Sequence, residues 1–240
     1  MEYRDLSLES IVFEARYNQS FGYLDKSNEI INKIDEEIDG LHVLDNLANA
    51  PGFRLTYKQE NIVFNFGPAS FNISRANTKD SDFEFFITYL KSVFRIVSEW
   101  LDLNEYSRIG LRYWFVYPVG SAEEGREVLS ESGIFNENKK VETLFGKKLK
   151  DKSIVVVLEE AQKGHRISLA MAKKEEVEVK IDSSGKVLSQ TKRKDSSAEM
   201  AILLDLDNYA DKPKEKSLDG FIDETVELCK NNIIKLIGGD

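Results

Sequence analysis

Residues 108–118 read Arg-Ile-Gly-Leu-Arg-Tyr-Trp-Phe-Val-Tyr-Pro, and this stretch decides the fold that we predict for the chain. Side chains of a β-strand point alternately to the two faces of its sheet. Every second residue from Ile109 to Tyr117 is apolar or aromatic, which predicts that one face packs on a hydrophobic core. The other face carries two arginines separated by a glycine and followed by a tryptophan: Arg108, Gly110, Arg112 and Trp114.

The two arginines on this polar face indicate a place where an anion can bind. A guanidinium group is a planar fork of donors that keeps its charge at any physiological pH. Gly110 leaves a gap without a side chain between Arg108 and Arg112. The pattern therefore predicts a site for a carboxylate or a phosphate group.

The sequence ahead of this strand predicts further strands and a helix. Residues 10–17 alternate in polarity, as in a strand with one polar face. A helix capped by Ser27 is expected next, and residues 53–66 have the pattern of a β-hairpin. We expect Gly67-Pro68 to kink or bulge the second hairpin strand before its alternation resumes, because proline has no amide hydrogen for a β-ladder.

A long helix is predicted to lead into residues 108–118, and its start is marked by a capping box of Ser81 and Glu84. The resulting order of strand, helix, two strands, helix and strand is the ferredoxin-like βαββαβ plan. First and last strands are neighbours in that plan. We therefore expect Glu14 and Arg16 of the first strand to lie near the arginines of the last.

The second half of the chain predicts an antiparallel sheet closed by a helix. A short helix is expected after its cap residue Ser121, and a hairpin is expected to turn at Lys163-Gly164. Residues 200–207 alternate as a strand, and an apolar stripe from Leu218 predicts a C-terminal helix.

These elements predict an α+β protein with two parts. Residues 1–119 form the ferredoxin-like part, and residues 120–240 form the antiparallel β-rich part with the C-terminal helix. No proline-rich or glycine-serine-rich linker separates them, so we expect the two parts to pack on each other.

The composition narrows the class of protein. A chain of 240 residues with 41% hydrophobic residues can bury a sizeable core, and a net charge of −9 disfavours nucleic acid as a partner. We interpret the lysine-rich residues 139–152 as a solvated loop. Because the sequence starts without an apolar leader and has no run of about 18 apolar residues, we expect a cytoplasmic protein without a membrane partner.

Cysteine and histidine are scarce. The single Cys229 excludes an intramolecular disulfide and a cysteine zinc site, and its apolar helical neighbours predict a buried thiol. His42 and His165 are the only histidines, so histidine-based acid–base catalysis and metal binding lose their usual residues. We interpret His165 as an exposed polar residue.

Three motifs together resemble a known family. They are Phe13-Glu-Ala-Arg-Tyr17, Arg108-Ile-Gly-Leu-Arg-Tyr113 and Leu203-Leu-Asp-Leu-Asp207. Over nearly the whole chain their order and spacing are similar to those of an uncharacterised, sporadically distributed family of bacterial proteins. That family has an Arg-x-Gly-Leu-Arg-Tyr strand after a long helix and a late Leu-Leu-Asp-x-Asp strand. Its members often have Ile-Asn where this chain has Trp114-Phe115, so any role of that asparagine is absent here. The resemblance implies an architecture and no activity.

The candidate ligand-binding residues share the polar face of the first and last strands of the ferredoxin-like part: Glu14, Arg16, Arg108, Arg112 and Trp114. Asp205 and Asp207 share one face of a late strand, and we expect them either to close this site or to bind magnesium. An alternative is structural, in which the arginines pair with the acidic residues at the junction of the two parts. Trp114 likewise either stacks on a ligand ring or packs as an ordinary strand aromatic.

No nucleophile elbow, phosphate-binding glycine loop or histidine zinc motif occurs in the sequence, and we assign no catalytic residue and no cofactor. The sequence therefore favours a nonenzymatic cytoplasmic binding protein of the immunity, antitoxin or regulatory type, with a protein partner or an anionic small molecule as its ligand. The alternative is a magnesium-dependent enzyme that acts on a phosphate-containing small molecule.

Overall fold

A computed structural model describes residues 6–37, 42–46, 51–76, 80–131, 144, 153–173, 179–181, 187–190, 200–213 and 218–236. The helices are α1 (Gly22–Glu37), α2 (Asp80–Leu101), α3 (Ala122–Glu131) and α4 (Leu218–Leu236). The strands are β1 (Ser7–Arg16), β2 (His42–Asn46), β3 (Phe53–Tyr57), β4 (Ile62–Phe66), β5 (Ser70–Ala76), β6 (Arg108–Val119), β7 (Ser153–Glu160), β8 (Lys163–Lys173), β9 (Val179–Ile181), β10 (Val187–Gln190) and β11 (Met200–Asp211).

One antiparallel sheet runs through both halves of the chain. Its nine strands have the order β2-β3-β4-β5-β1-β6-β11-β8-β7, and β9 pairs with β10 in a separate hairpin. β6 pairs with β1 on one side and with β11 on the other, and the β11 pairing extends from Arg108 opposite Asp211 to Val119 opposite Met200. The α+β class is therefore confirmed, and the two predicted parts share a continuous sheet.

The apolar face of the sheet is covered by the four described helices. Phe94 of α2 packs edge-on against Phe13 of β1, with ring centroids 5.8 Å apart. Tyr23 of α1 contacts Phe66 of β4 at 5.0 Å between centroids. Apolar residues of α3 and α4 belong to the same buried core: Val128, Leu129, Phe221, Ile222 and Cys229. We call the opposite side of the sheet, which carries the second set of alternating side chains, the outer face.

The alternation predicted around residue 108 is present in β6. Ile109, Leu111 and Tyr113 are fully buried, whereas Arg108 and Arg112, at alternate positions, are half-buried on the outer face. Burial of a large apolar side chain contributes about 1.5–3 kcal/mol. A shift of one residue would bring arginines into the core, so the hydrophobic pattern holds the register of this strand.

Two local predictions about the first half are wrong. Gly67-Pro68 neither kinks nor bulges a strand but turns the chain between β4 and β5, which pair antiparallel from Ile62 opposite Arg75 to Phe66 opposite Phe71. The Gly67 amide donates to the Ser70 carbonyl at 2.9 Å and closes this tight turn. The first helix starts at Gly22 and not at Ser27, since Ser27 lies inside α1.

The ferredoxin-like designation of the first half is not confirmed. First and last strands are neighbours as predicted, because β1 pairs with β6. However, four strands, β2 to β5, lie between α1 and α2, where the βαββαβ plan has two. The extra strands extend the sheet on its β5 side.

The predicted cap of α3 is present, because the Ser121 hydroxyl accepts from the Glu124 amide at 3.1 Å. The side chain of Ser81, the predicted cap of α2, lies outside what the structure describes, and so do all of the lysine-rich residues 139–152 except residue 144. The β7–β8 hairpin turns at Ala161-Gln162, two residues before the predicted Lys163-Gly164. Within the described ranges, no helix has the length and apolar character needed to cross a membrane.

We expect Phe13→Ala to lower the free energy of unfolding by about 3–5 kcal/mol, because it opens a cavity where three rings meet. Phe13 is fully buried and also contacts Phe71, with centroids 5.9 Å apart. The matched control is Phe21→Ala, since Phe21 is 82% exposed and its loss should change stability by less than about 0.5 kcal/mol. Urea unfolding followed by circular dichroism measures both, and equal losses would contradict this account of the core.

Candidate functional site

The register of β1, β6 and β11 brings the predicted site residues onto one region of the outer face. Arg16 of β1 lies opposite Arg108 of β6, and Glu14 lies opposite Gly110. On the other side of β6, β11 places Asp207 opposite Arg112 and Asp205 opposite Trp114. The sheet therefore gathers all of the predicted ligand-binding and metal-binding residues.

Arg112 forms the centre of this region, and Asp205 engages it through both carboxylate oxygens. Arg112 Nε donates to Asp205 Oδ1 at 2.7 Å, and Nη2 donates to Oδ2 at 2.5 Å. The guanidinium also lies 4.3 Å from the ring centroid of Trp114, in cation–π contact. A forked ion pair stacked on an indole ring holds the Arg112 side chain in one orientation.

The charge of Arg112 is reinforced by its neighbours. Burial acts to lower its pKa, but the hydrogen bonds and negative charge of Asp205 and the charge of Asp207 outweigh burial, so the pKa of Arg112 is raised. The guanidinium therefore stays charged, and its charge is already matched by a carboxylate of the same chain.

Asp207 lies on the same face of β11 as Asp205 but affects the stability of the fold differently. Partial burial raises the pKa of Asp207 above its ordinary value, although the charges of Arg112 and Arg108 oppose this rise and that of Asp205 supports it. Arg166 of β8 lies opposite Asp207 and also acts to lower its pKa. Ionised Asp207 is therefore a cost to the folded state.

Arg108 belongs to a second stacked group. Its guanidinium lies 4.3 Å from the ring centroid of Tyr209 and 3.8 Å from the Asp211 carboxylate. The Tyr209 hydroxyl donates to Glu159 of β7 at 3.1 Å. Gly164 of β8 makes room for this ring, because a Cβ atom there would lie 2.4 Å from Tyr209 Cζ. Arg108 and Arg112 are thus each held by one aromatic ring and one carboxylate.

Arg16 and Glu14 form their own pair on β1. Arg16 Nε donates to Glu14 Oε1 at 2.6 Å, and the two side chains are 55% and 40% exposed. Exposed pairs of this kind contribute only about 0–1 kcal/mol. The four charged residues predicted on β1 and β6 therefore share a surface, but they form separate ion pairs and do not converge on one point.

Sequence reasoning missed a row of polar contacts that continues across the outer face. Arg54 Nε donates to Asn65 Oδ1 at 2.9 Å, and Asn65 Nδ2 donates to Asn72 Oδ1 at 2.8 Å. Asn72 lies opposite Glu14 of β1. The alternation of each strand marks these residues as outer-face positions, but their alignment depends on the β4–β5 turn that the sequence prediction treated as a kink.

His165 is half-buried and bonded rather than exposed as predicted. Asn208 is fully buried and donates through Nδ2 to the Leu111 carbonyl at 3.1 Å. Its Oδ1 then faces His165 Nδ1 at 2.8 Å, so this histidine nitrogen is the donor.

The predicted buried thiol is confirmed, because Cys229 is buried in the apolar core. Burial raises the pKa of this thiol to about 12, so it stays protonated at neutral pH.

Asp205 and Asp207 are also the residues predicted to bind magnesium. In the ranges that the structure covers, no group of three or more histidine, cysteine, aspartate or glutamate residues is placed to hold a metal ion. Asp205 is engaged by Arg112, and Asp207 contributes one further carboxylate. A magnesium site at Asp205 and Asp207 thus remains a prediction from the sequence alone.

Comparison with known proteins adds no assignment. No protein-family model matches the chain, and no curated protein matches it. The resemblance to the uncharacterised bacterial family therefore remains a prediction, and the inferences about function rest on the geometry of the outer face.

We expect Asp205→Asn to lower the free energy of unfolding by about 1 kcal/mol. The substitution removes the carboxylate that binds Arg112 through both oxygens, and water replaces only part of the interaction because the two side chains are 35% and 21% exposed. Asp211→Asn is the matched control, because Asp211 is 3.8 Å from Arg108 and 46% exposed. Its loss should be within about 0.5 kcal/mol. Urea unfolding at neutral pH measures the stability of both variants. Equal losses in the two would contradict the special role of Asp205.

Asp207→Asn should stabilise the protein at neutral pH. A carboxyl group whose pKa is raised on folding favours the folded state while it is protonated, and this contribution is lost as the pH rises through the folded-state pKa. The advantage of the variant should therefore grow with pH above the ordinary value of 3.8 and disappear at lower pH. Unfolding curves across this range test the sign, and a variant that becomes relatively less stable as pH rises would contradict it.

Proposed function

We propose that this chain is a nonenzymatic binding protein that recognises a partner protein through the outer face of its sheet. The observation that carries the proposal is the pair of stacked arginines, each with an aromatic ring and a carboxylate beside it. Arginine, tryptophan and tyrosine are the residues that dominate the energetics of protein interfaces.

Preorganisation supports a binding role for these residues. Arg112 is held by Asp205 and Trp114 before any partner arrives, so little side-chain entropy remains to be lost on association. At the same time its charge is already neutralised within the chain, which makes it a poor receptor for a small free anion. A mixed surface of paired charges suits a protein partner whose own polar groups match it.

The size of the outer face also fits a protein partner. The polar contacts extend from Arg54 on β3 to Arg166 on β8, across seven neighbouring strands of the sheet. At about 4.8 Å between strands this region is about 29 Å wide. A face of that width over strands of this length provides on the order of the 800 Å² that each partner buries in a typical specific complex.

The same architecture supports the predicted ferredoxin-like unit and the predicted class of protein. The strand order β4-β5-β1-β6 with two crossing helices is compatible with a ferredoxin-like unit enlarged by β2 and β3. A broad sheet face with preorganised arginines suits a protein of the immunity, antitoxin or regulatory type, which acts by binding a partner. We therefore propose that the chain is a binding protein of this class and that it acts in the cytoplasm.

The alternative of a magnesium-dependent enzyme has less support. It needs an arginine free to bind a phosphate group and several carboxylates around a metal ion. Arg112 is already bound by Asp205 through both oxygens. In the described ranges, no third acidic, histidine or cysteine side chain joins Asp205 and Asp207 to form a metal-binding group.

Site-specific photocrosslinking in the source organism tests the binding proposal. Ser74 of β5 lies on the outer face between Val12 and Val63, and a photoreactive phenylalanine analogue there should form a covalent adduct with a defined protein. The same analogue at Glu29, which is exposed on α1 in the helix layer, is the matched control. We expect the adduct from Ser74 alone.

The outer-face arginine and its tryptophan provide the second control. Arg112→Ala combined with Trp114→Ala should reduce the Ser74 adduct at least tenfold while circular dichroism shows that the fold persists. Adducts of equal yield from Ser74 and Glu29, or an adduct that survives the double substitution, would contradict the proposal.

A thermal-shift scan separates this proposal from the enzyme alternative. A ligand present at 100 times its Kd adds about 2.7 kcal/mol to stability, which shifts the unfolding midpoint of a chain of this size by roughly 5–10 °C. We expect no such shift with ATP, GTP, pyrophosphate or inorganic phosphate, with or without magnesium. A magnesium-dependent shift that is lost in Asp207→Asn would instead support the enzyme.

A further inference from the structure

The β8 side of the sheet ends in an apolar edge that the outer-face proposal does not use. β7 is the last strand on this side within the described chain, and it reads Ser-Ile-Val-Val-Val-Leu-Glu-Glu. Its residues 154–158 are all aliphatic. Val155, Val157 and Leu158 are 51%, 55% and 52% exposed, so both sides of the strand carry accessible apolar side chains.

The backbone of β7 is suited to accept another strand. It pairs with β8 without a bulge from Ser153 opposite Ala170 to Glu160 opposite Lys163. Alternate amide and carbonyl groups of an edge strand point away from the sheet and are open to pairing. Proteins usually protect such edges with lysine, proline or a bulge, and residues 153–160 contain none of these.

We propose that β7 pairs antiparallel with β7 of a second copy of this chain, about a two-fold axis at Val156. The sequence is self-complementary around that residue. Ile154 of one copy lies opposite Leu158 of the second copy on the helix side of the sheet, and Val155 lies opposite Val157 on the outer face. The sheets of the two copies then form one continuous sheet. Each exposed aliphatic residue of β7 lies beside an aliphatic residue of the other copy.

The charges of the strand select the antiparallel direction. The two charged residues of β7, Glu159 and Glu160, lie at its C-terminal end. A parallel partner would bring these glutamates within about 5 Å of their counterparts. In the antiparallel pair Glu159 lies opposite Ser153, and the two Glu159 residues are about 20 Å apart, beyond the screening length of about 8 Å at physiological ionic strength.

The negative charge of each chain makes the uncharged centre of β7 the favoured contact between copies. Each chain carries −9, so two copies repel each other over most approaches. The aliphatic centre of β7 has no charge of its own, and apolar burial there is roughly 25 cal/mol per Å² favourable.

Sedimentation equilibrium of the full chain from micromolar to sub-millimolar concentration tests the dimer. We expect wild type to dimerise, and Val157→Lys to stay monomeric because it places a charge in the paired edge. Leu24→Lys is the matched control, since it adds the same charge at a residue of α1 that is 75% exposed, and it should dimerise like wild type. Thermal unfolding of the three proteins verifies that each is folded.

Oxidative crosslinking tests the register. Val156→Cys should form a disulfide-linked dimer readily, because each copy places residue 156 opposite itself. Glu159→Cys should not, since its two Cα atoms are about 20 Å apart and a disulfide needs less than about 7 Å. A monomeric wild type, a Val157→Lys variant that dimerises normally, or equal crosslinking at both positions would overturn the proposal. A different protein bound to β7 of a monomeric chain would also overturn it.

Discussion

The pairing of β6 with β1 on one side and β11 on the other is the constraint on which the rest of the structure depends. The first half of the chain reaches the second through this strand. Its apolar residues lie beneath α2 and α4, and Tyr113 contacts Phe83 with ring centroids 6.2 Å apart. Because a slip of one residue would exchange the two faces, the cost of burying Arg112 and exposing Tyr113 holds both neighbours in register.

The outer face follows directly from that register. Once Tyr113 and Leu111 point to the helices, Arg112 must point away from them, and β11 places its aspartates alongside. The stacking of Arg112 on Trp114 and its forked pair with Asp205 are then local consequences of sheet geometry. The structural role of Arg112 is consistent with the binding role that we propose, since a side chain held by its own neighbours is also preorganised for a partner.

Ion pairs between helices contribute less to stability than the sheet and the core do. Lys91 of α2 pairs with Asp223 of α4 at 2.5 Å, and Glu84 of α2 pairs with Lys230 of α4. Asp223 and Glu84 are well exposed, so such pairs contribute about 0–1 kcal/mol each. The continuous β-ladder and the shared apolar core, rather than these surface pairs, join the two halves into one unit.

Sequence alone determined the features that depend on residues close together in the chain. The alternation from Ile109 to Tyr117 specified which face of β6 is buried, and the apolar stripes specified the long helices. The Ser121 cap was recognisable because a cap needs only a hydroxyl and an amide three residues later. The adjacency of first and last strands was also predicted, although the surrounding ferredoxin-like plan was not confirmed.

Tertiary structure alone decided how those elements meet. The sequence pattern of Gly67-Pro68 is compatible with either a kink or a reversal, and only the antiparallel ladder of β4 with β5 selects the reversal. That choice aligns Asn65 with Asn72, a contact that neither residue predicts by itself. Likewise the sequence left open whether Asp205 would bind Arg112 or a metal ion. The physical reason is that side-chain alternation is a local property, whereas strand register depends on the total burial and hydrogen bonding of segments far apart in the chain.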